Sequence, residues 1–325
     1  MKIVGLGNAL VDVLLKLEND SVLSEIGVKK GAMDLIDKEQ MIMLRKKQEM
    51  LERSEVPGGS VCNTIRAMAR LGAKTGFIGK IGSDSVGSFY ENSIVKAGVA
   101  PYFVKVEGIS GSSTVLISPD GERTMCTFLG PAATLSADEI NKKILESYQL
   151  IYIEGYLIVN ESLFRATLRN AKELGLKVAL DLSNFNIVNG FKDMLKEVIP
   201  QYVDILFSNE SEAEAFTGLK AIEAVKEISK MVDISIVTVG KEGALVGCSG
   251  NVISVPAEGG KPVDTTGAGD HFAAGFLYGQ SIGATLKQSA QIGSVLSGYA
   301  IDVIGAQIPE DKWEQIKLKV NKILA

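Results

Sequence analysis

Short apolar runs and segments of helical period take turns along the second half of the chain. Residues 151–154, 177–181, 204–207 and 234–238 are runs of β-branched and other apolar residues, the pattern of buried strands. Between them, residues 161–174 and 221–231 carry apolar positions at helical spacing. This alternation predicts a parallel sheet covered by helices. Ligands of such sheets bind beyond the carboxyl ends of the strands. Each predicted strand here ends in polar residues: Glu154, Asp181, Ser208-Asn209 and Thr238.

The first part of the chain has a different texture. Residues 9–17, 32–36, 102–106, 113–118 and 123–128 read as strands, some alternating apolar and polar positions, and Pro119-Asp-Gly-Glu122 is a hairpin turn signal. Segments at about 9–36 and 102–128 are therefore expected to form a small antiparallel sheet outside the main core, a lid over a ligand. No Ser/Gly/Pro linker separates the two textures, so residues 1–325 read as one domain with the lid woven in. There is no internal repeat, and residues 309–325 look like a surface helix.

With 325 residues, 46% of them hydrophobic, the chain can bury a large core. The net charge of −5 and the scattered basic residues give no nucleic-acid footprint. No apolar run approaches the ~20 residues needed to span a bilayer, and the N-terminus opens on a strand-like run without a secretion signal. Cys62, Cys126 and Cys248 have neither metal-ligand spacing nor an even number, and His271 is the single histidine. A reducing cytoplasm and no zinc site are expected. The partners expected are small molecules, with neither nucleic acid nor membrane among them.

The candidate chemistry centres on Asp264-Thr-Thr-Gly-Ala-Gly-Asp270, just where an amphipathic helix begins. The amides of Gly267, Ala268 and Gly269 can turn toward one anion, helped by the helix dipole. Asp270 lies beside that anion, placed to take a proton from an attacking hydroxyl. That pairing suits phosphoryl transfer; the plainer reading is a glycine-rich cap. Pro57-Gly-Gly-Ser-Val-Cys-Asn63 leads into a second helix, where Gly58 and Gly59 would let a ligand approach and Asn63 would either meet hydroxyls or cap the helix. Asp12 interrupts an apolar run; it either binds hydroxyls or faces solvent. Asn209 and Glu212 either hold magnesium through water or form an exposed acidic helix start. Thr238 and Gly240 lie in a loop between two strands that would admit a nucleotide or serve as an ordinary hairpin. Gly5-Leu-Gly-Asn-Ala-Leu10 lacks the third glycine of a dinucleotide fingerprint, no P-loop motif is present, and Gly279-Gln-Ser-Ile-Gly283 follows a helix rather than a strand, against a nucleophile elbow. His271 reads as a helix-surface or packing residue.

Taken in order, Gly7-Asn-Ala-Leu-Val-Asp12, Gly58-Gly-Ser-Val-Cys-Asn63, Gly72 with Gly79-Lys-Ile-Gly-Ser-Asp84 and Gly87, Asn209-Glu-Ser-Glu212 and Asp264–Asp270 resemble the ribokinase-like (PfkB) carbohydrate and nucleoside kinases, from end to end of the chain. The resemblance implies a three-layer α/β/α sandwich with a mostly parallel sheet and a small β-sheet lid. It implies transfer of the ATP γ-phosphate to a primary hydroxyl, with Mg²⁺. It makes Asp270 the base, Gly267 to Gly269 the anion hole, and Asp12, Gly58, Gly59 and Asn63 acceptor contacts. Asn209 and Glu212 match the motif tied to metal and phosphates; Thr238, Gly240 and Thr265 become nucleotide neighbours. Asp264, Thr266 and Gly305 fall near a monovalent-cation site, potassium in some members. Within the family the text is most similar to the bacterial adenosine-kinase branch. Leu15, Met33, Leu35 and Phe128 are candidates for an apolar slot that a base would need, or for lid core. The alternatives are a kinase of a free sugar such as ribose or fructose, and an idle ligand sensor, against which the intact Asp270 argues. Monomer and homodimer both remain open, and an exposed lid sheet would suit pairing across a dimer.

Overall fold

The apolar runs of the second half sit at the middle of a nine-stranded sheet. The computed structural model describes residues 1–48, 53–259 and 262–325. The strands are β1 (Ile3–Leu6), β2 (Leu10–Lys16), β3 (Met33–Leu35), β4 (Arg53–Gly58), β5 (Thr75–Gly82), β6 (Ala100–Val106), β7 (Gly111–Ile117), β8 (Arg123–Phe128), β9 (Leu150–Glu154), β10 (Lys177–Asp181), β11 (Ile205–Asn209), β12 (Ile234–Thr238), β13 (Ala244–Cys248) and β14 (Asn251–Val255). The large sheet runs β14-β13-β12-β11-β10-β9-β1-β5-β6. It is parallel from β6 to β12 and closes with the antiparallel pairs β12/β13 and β13/β14.

Alternate side chains of each central strand enter opposite layers, because successive residues of a strand face opposite ways. Ile3, Leu150, Tyr152, Ala179, Ile205 and Phe207 pack under the helices Ser60–Arg70, Ala268–Ser281 and Leu286–Ala300. Val4, Ile151, Ile153, Val178, Leu180 and Leu206 pack on the other side, under Glu161–Glu173, Lys192–Tyr202 and Ala221–Ile228. The result is the three-layer α/β/α sandwich that the resemblance implies.

The second sheet has five strands, in the order β3-β8-β7-β2-β4. β7 and β8 form the hairpin signalled at 119–122, closed by Ser118 N–H donating to Glu122 O at 2.9 Å. This sheet differs from expectation in two ways. The strand expected at 102–106 is β6, which pairs with β5 at the edge of the large sheet and has no place in the small one. Its half-buried residues give an edge strand of the core the same mixed pattern as a lid strand. Residues 53–58, which carry no strand signal beside Pro57, supply β4 instead and pair with β2. The sheet is also mixed rather than antiparallel, since β2/β7 and β3/β8 run parallel.

One face of the small sheet is covered. Val11, Val13, Leu15, Leu116 and Cys126 are buried against Leu23, Ile26, Met41 and Leu44 of the helical segments at 21–26 and 38–48. Pairing of an exposed sheet face across a dimer is therefore ruled out on that side. Leu15 and Phe128, candidates for an apolar slot, also belong to this covered side: Phe128 pairs with Ser112, which pairs with Val11. The side chain of Met33 lies outside the described residues. The helix Trp313–Leu324 lies at the surface as expected and buries Trp313, Ile316 and Val320.

The chain passes between the two sheets at residues 7–9 and 58–60, and these crossings touch. Gly59 has φ +90°, and a Cβ there would lie 2.5 Å from the carbonyl oxygen of Asn8. Gly59→Ala is expected to lower unfolding stability by on the order of 1–3 kcal/mol, from strained backbone and the displaced crossing. Urea denaturation measures it, and an unchanged midpoint would show that the crossing yields freely.

Candidate active site

The N-terminus of the helix Ala268–Ser281 opens into the crevice beyond the carboxyl ends of β9 to β12. Its N-cap is Gly267, in the left-handed region at φ +77° with Ala306 packed where a Cβ would go. The first N–H groups of a helix have no partner one turn back. Ala268 N–H is used by Thr265 O at 3.2 Å. Among the described residues, the amides of Gly267 and Gly269 make no such bond and remain for an anion.

Asp270 stands in the first turn and is held by the other helix that points here, Ser60–Arg70. Ser60 Oγ donates to Oδ1 at 2.7 Å, Asn63 Nδ2 donates to Oδ2 at 2.9 Å, and Thr64 Oγ1 donates to the Asp270 carbonyl at 2.9 Å. Asn63 lies inside its helix, whose N-cap is Gly59; the alternative that Asn63 caps that helix does not hold. Burial raises the Asp270 carboxyl above its ordinary range, against the lowering by Asn63 and Ser60.

Asp12 is half-buried rather than turned fully to solvent. Strand alternation turns it to the open face of the small sheet, with its carboxylate laid over Gly58, where a Cβ would lie 2.2 Å from it. Burial first, and then the charge on Asp270, push Asp12 up to about 7. Asp12, Gly59, Ser60, Asn63, Glu212 and Asp270 line one cavity of about 340 Å³. A second cavity, about 460 Å³, is lined by Thr238, Gly240, Gly243, Thr265, Gly269 and Ser294 among others. Thr238, Thr265, Ala268, Gly269 and Phe272 line both, so the two meet at the start of the helix. Each falls within the roughly 300–1,000 Å³ of small-molecule sites.

Asn209 and Glu212 form a reciprocal cap on the helix Glu210–Thr217. Glu212 accepts from Asn209 Nδ2 at 2.8 Å and from Asn209 N–H at 2.9 Å, and Asn209 Oδ1 accepts from Glu212 N–H at 2.9 Å. Glu212 is buried rather than exposed. Asp181, at the end of β10, shares its cavity. Burial, then the charges of Glu212 and Asp270, raise Asp181 well above the carboxylate range. Two crowded carboxylates fit a divalent ion that would relieve them. Among the described residues no group of three or more His, Cys, Asp and Glu is arranged around a metal, so magnesium here would keep most of its water, as it prefers.

Asp264, Thr266 and Gly305 do come together. Asp264 accepts from Thr266 N–H and Oγ1 and from Gly305 N–H. Its charge is met by Arg123 of β8 at 2.9 Å. Burial works against ionisation, but Gly305, Arg123 and Thr266 outweigh it and bring Asp264 down to about 2. A guanidinium thus meets the carboxylate that the resemblance places near a monovalent cation. His271 is buried rather than at the helix surface; Nδ1–H donates to Gly267 O at 2.8 Å and burial takes it down to about 4, neutral at physiological pH.

Glu154, Ser183 and Asp181 belong to no motif. Glu154 is buried, accepts from Asn8 N–H and Nδ2 at 2.9 and 2.6 Å, and stands at the crossing between sheets. Burial pushes it up to about 7. Ser183, at φ +64°, donates its N–H to Asp181 at 2.7 Å and accepts from Gly155 N–H at 2.9 Å. The one signal for Glu154 and Asp181 was their place at strand ends; backbone strain of the Ser183 kind clusters at sites but is invisible in a sequence.

Comparison with known proteins shows the family and the fold. The pattern of the pfkB family carbohydrate kinases matches residues 26–313. The adenosine kinase of Saccharomyces cerevisiae is 30% identical over 333 residues, covering 95% of this chain and 97% of that protein. The crystal structure of adenosine kinase from Sinorhizobium meliloti superposes with a TM-score of 0.86 at 29% identity, covering 98% of both chains. Adenosine kinase from Schistosoma mansoni in complex with 2-fluoroadenosine has a TM-score of 0.81 at 25% identity, covering 95% of this chain and 97% of that one.

Proposed function

The chain belongs to the pfkB family of carbohydrate kinases, and from that premise we propose that it transfers the γ-phosphoryl group of ATP to the primary hydroxyl of a nucleoside, adenosine giving AMP. The observation that carries the choice of acceptor is the open face of the small sheet. Residue pairing puts Leu14, Val115 and Met125 in one row across β2, β7 and β8, beside the row Val56, Asp12, Ser113, Thr127 and Leu35. Leu35 is 73% exposed and Leu14, Val56, Val115 and Met125 are half-buried. An apolar surface next to a hydroxyl-binding carboxylate suits a base attached to a sugar; a free ribose or fructose has nothing to lay on it.

In the mechanism, Asp12 accepts hydrogen bonds from the ribose hydroxyls, with Asn63 and the backbone at Gly58 and Gly59 completing the cradle. This orients the primary hydroxyl toward Asp270. Asp270 takes its proton as the oxygen attacks phosphorus. The Gly267 and Gly269 amides, with Ala268 beside them, and the helix dipole stabilise charge on the transferring phosphoryl group. ATP occupies the cavity at Thr238, Gly240 and Thr265, whose meeting with the acceptor cavity sets donor and acceptor in line. Magnesium, held through water by Glu212, Asn209 and Asp181, would neutralise the phosphate oxygens. Closure of the small sheet would exclude water and limit ATP hydrolysis.

Release of ADP, measured against a panel of nucleosides and free sugars, tests the reading. Adenosine should give the highest kcat/KM, with ribose and fructose at least about tenfold lower, the scale set by leaving apolar surface uncovered. A free sugar turned over best would make the protein a sugar kinase; tight binding without turnover would leave a ligand sensor.

A further inference from the structure

Gln307 lies in the loop between the helices Leu286–Ala300 and Trp313–Leu324, and the mechanism above does not use it. The loop is pinned to the anion-binding turn by Val263 N–H to Ile301 O and Gly305 N–H to Asp264 Oδ2, each 2.8 Å. Gln307 Nε2 donates to Asn63 Oδ1 and to Pro57 O, both at 3.0 Å, while its Oε1 accepts from Arg66 Nη1. A guanidinium can only donate. Arg66 therefore fixes which end of the Gln307 amide faces it, and the nitrogen must face Asn63. Asn63 in turn must offer Gln307 its oxygen and Asp270 its nitrogen, at 2.9 Å. Hydrogen-bond polarity runs one way through Arg66, Gln307, Asn63 and Asp270.

We propose that Gln307 is a positioning residue for the general base: it locks the Asn63 amide in the orientation that donates to the ionised Asp270 carboxylate. This rests on the reading of Asp270 as the base. The lock has work to do because the other surroundings of Asp270 oppose its charge. Burial opposes the charge on Asp270, and that charge in turn raises the nearby acids: Asp12 on β2, Glu154 and Tyr152 on β9, Tyr156 just after it, Asp181 on β10 and Cys62 on the helix Ser60–Arg70. Arg66 is the cation at the far end of the chain, and His271, next in the helix, is turned to Gly267 O. Donation to the carboxylate comes from Ser60 and Asn63. A serine hydroxyl rotates freely to donate, whereas an amide that flips sets its oxygen against the carboxylate and loses a donor.

Gln307→Glu keeps an acceptor for Arg66 and turns its second oxygen on Asn63 Oδ1, forcing the flip; Gln307→Leu removes the lock. The acid limb of the kcat–pH profile should move up by about one unit in Gln307→Glu, which is about a tenfold loss in kcat at pH well below the limb and none well above it. Gln307→Leu should move it less, in the same direction, and KM for ATP should stay parental in both. A structural role alone would lower activity equally at every pH. An acid limb in the parental position overturns the proposal. So does a side-chain amide resonance of Asn63, followed by NMR in the parental protein, that fails to shift as Asp270 titrates; that measurement needs neither variant to fold. Asp270→Asn in the same assay separates the two readings. If it is inactive while the Gln307 variants keep the parental limb, only the role of Gln307 falls; if it keeps parental kcat, the base assignment falls.

Discussion

Asp270→Asn is expected to reduce kcat by about 10²–10⁴-fold, the usual cost of removing a general base, while ATP binding and the fold persist. The amide cannot take the proton of the attacking hydroxyl. It can keep its local partners, because the Ser60 hydroxyl that now donates to Oδ1 can equally accept from an amide nitrogen, leaving the amide oxygen for Asn63 Nδ2. Helix stability should change little, since Asn serves nearly as well as Asp at a helix start. The glycine amides remain, so a residue of activity should survive. A steady-state assay on the best acceptor decides the matter. Parental kcat would leave Asp270 as a mere helix-terminal charge and remove the mechanism proposed above.

Asp12→Ala should weaken the acceptor far more than ATP. A hydrogen bond to a charged group is worth about 1.5–3 kcal/mol, so without one such bond to a substrate hydroxyl the acceptor Kd rises about tenfold or more. The nucleotide cavity has no wall at Asp12, so ATP affinity should stay within about twofold, less than 0.5 kcal/mol. Calorimetric titration of both ligands checks this, and an acceptor bound equally by variant and parent would take Asp12 out of the site. The same carboxyl has a stability signature. Its folded-state value, about 7, lies above the ordinary 3.8. The folded protein therefore favours the protonated form, and this contribution to stability is present at low pH and lost as pH rises from about 4 through about 7. Asp12→Asn removes the titration, so its Tm should gain on the parent as pH rises across that window. A Tm difference that ignores pH would mean that Asp12 is not confined between Asp270 and the sheet.

The strands at 177–181, 234–238 and 123–128 were legible in the sequence to the residue. Short runs rich in apolar and β-branched residues, bounded by polar or turn residues, leave little freedom of assignment. The same holds for the helix start at Gly267 and Asp270, where glycines and an acid in sequence specify both a cap and a place for an anion. The order of the motifs from Gly7 to Asp270 was enough to point to the family.

Burial patterns gave less where a strand is only half covered. β6 looked like a lid strand because an edge position in the core exposes it in the same measure, and β4 was hidden by Pro57, which an edge strand tolerates. Leu15 and Leu35 were equal candidates for an acceptor slot; their faces differ because pairing in the small sheet turns one toward the helix Lys38–Gln48 and the other outward. Nothing local to Asp264 announced Arg123, which a distant strand brings onto it.

The sequence by itself determined the central strands, the sheet-and-helix alternation and the types of group available for phosphoryl transfer, because periodicity and local turn chemistry are properties of neighbouring residues. Only the tertiary structure decided which groups meet. Asp270 raises the proton affinity of Asp12, Asp181 stands with Glu212, and Gln307 reaches Asp270 through Asn63, because β2, β10 and the helices Ser60–Arg70 and Ala268–Ser281 converge on one crevice. Those meetings join residues far apart in the chain, where local pattern carries no information, and they set burial, and with burial the charge each carboxyl can hold.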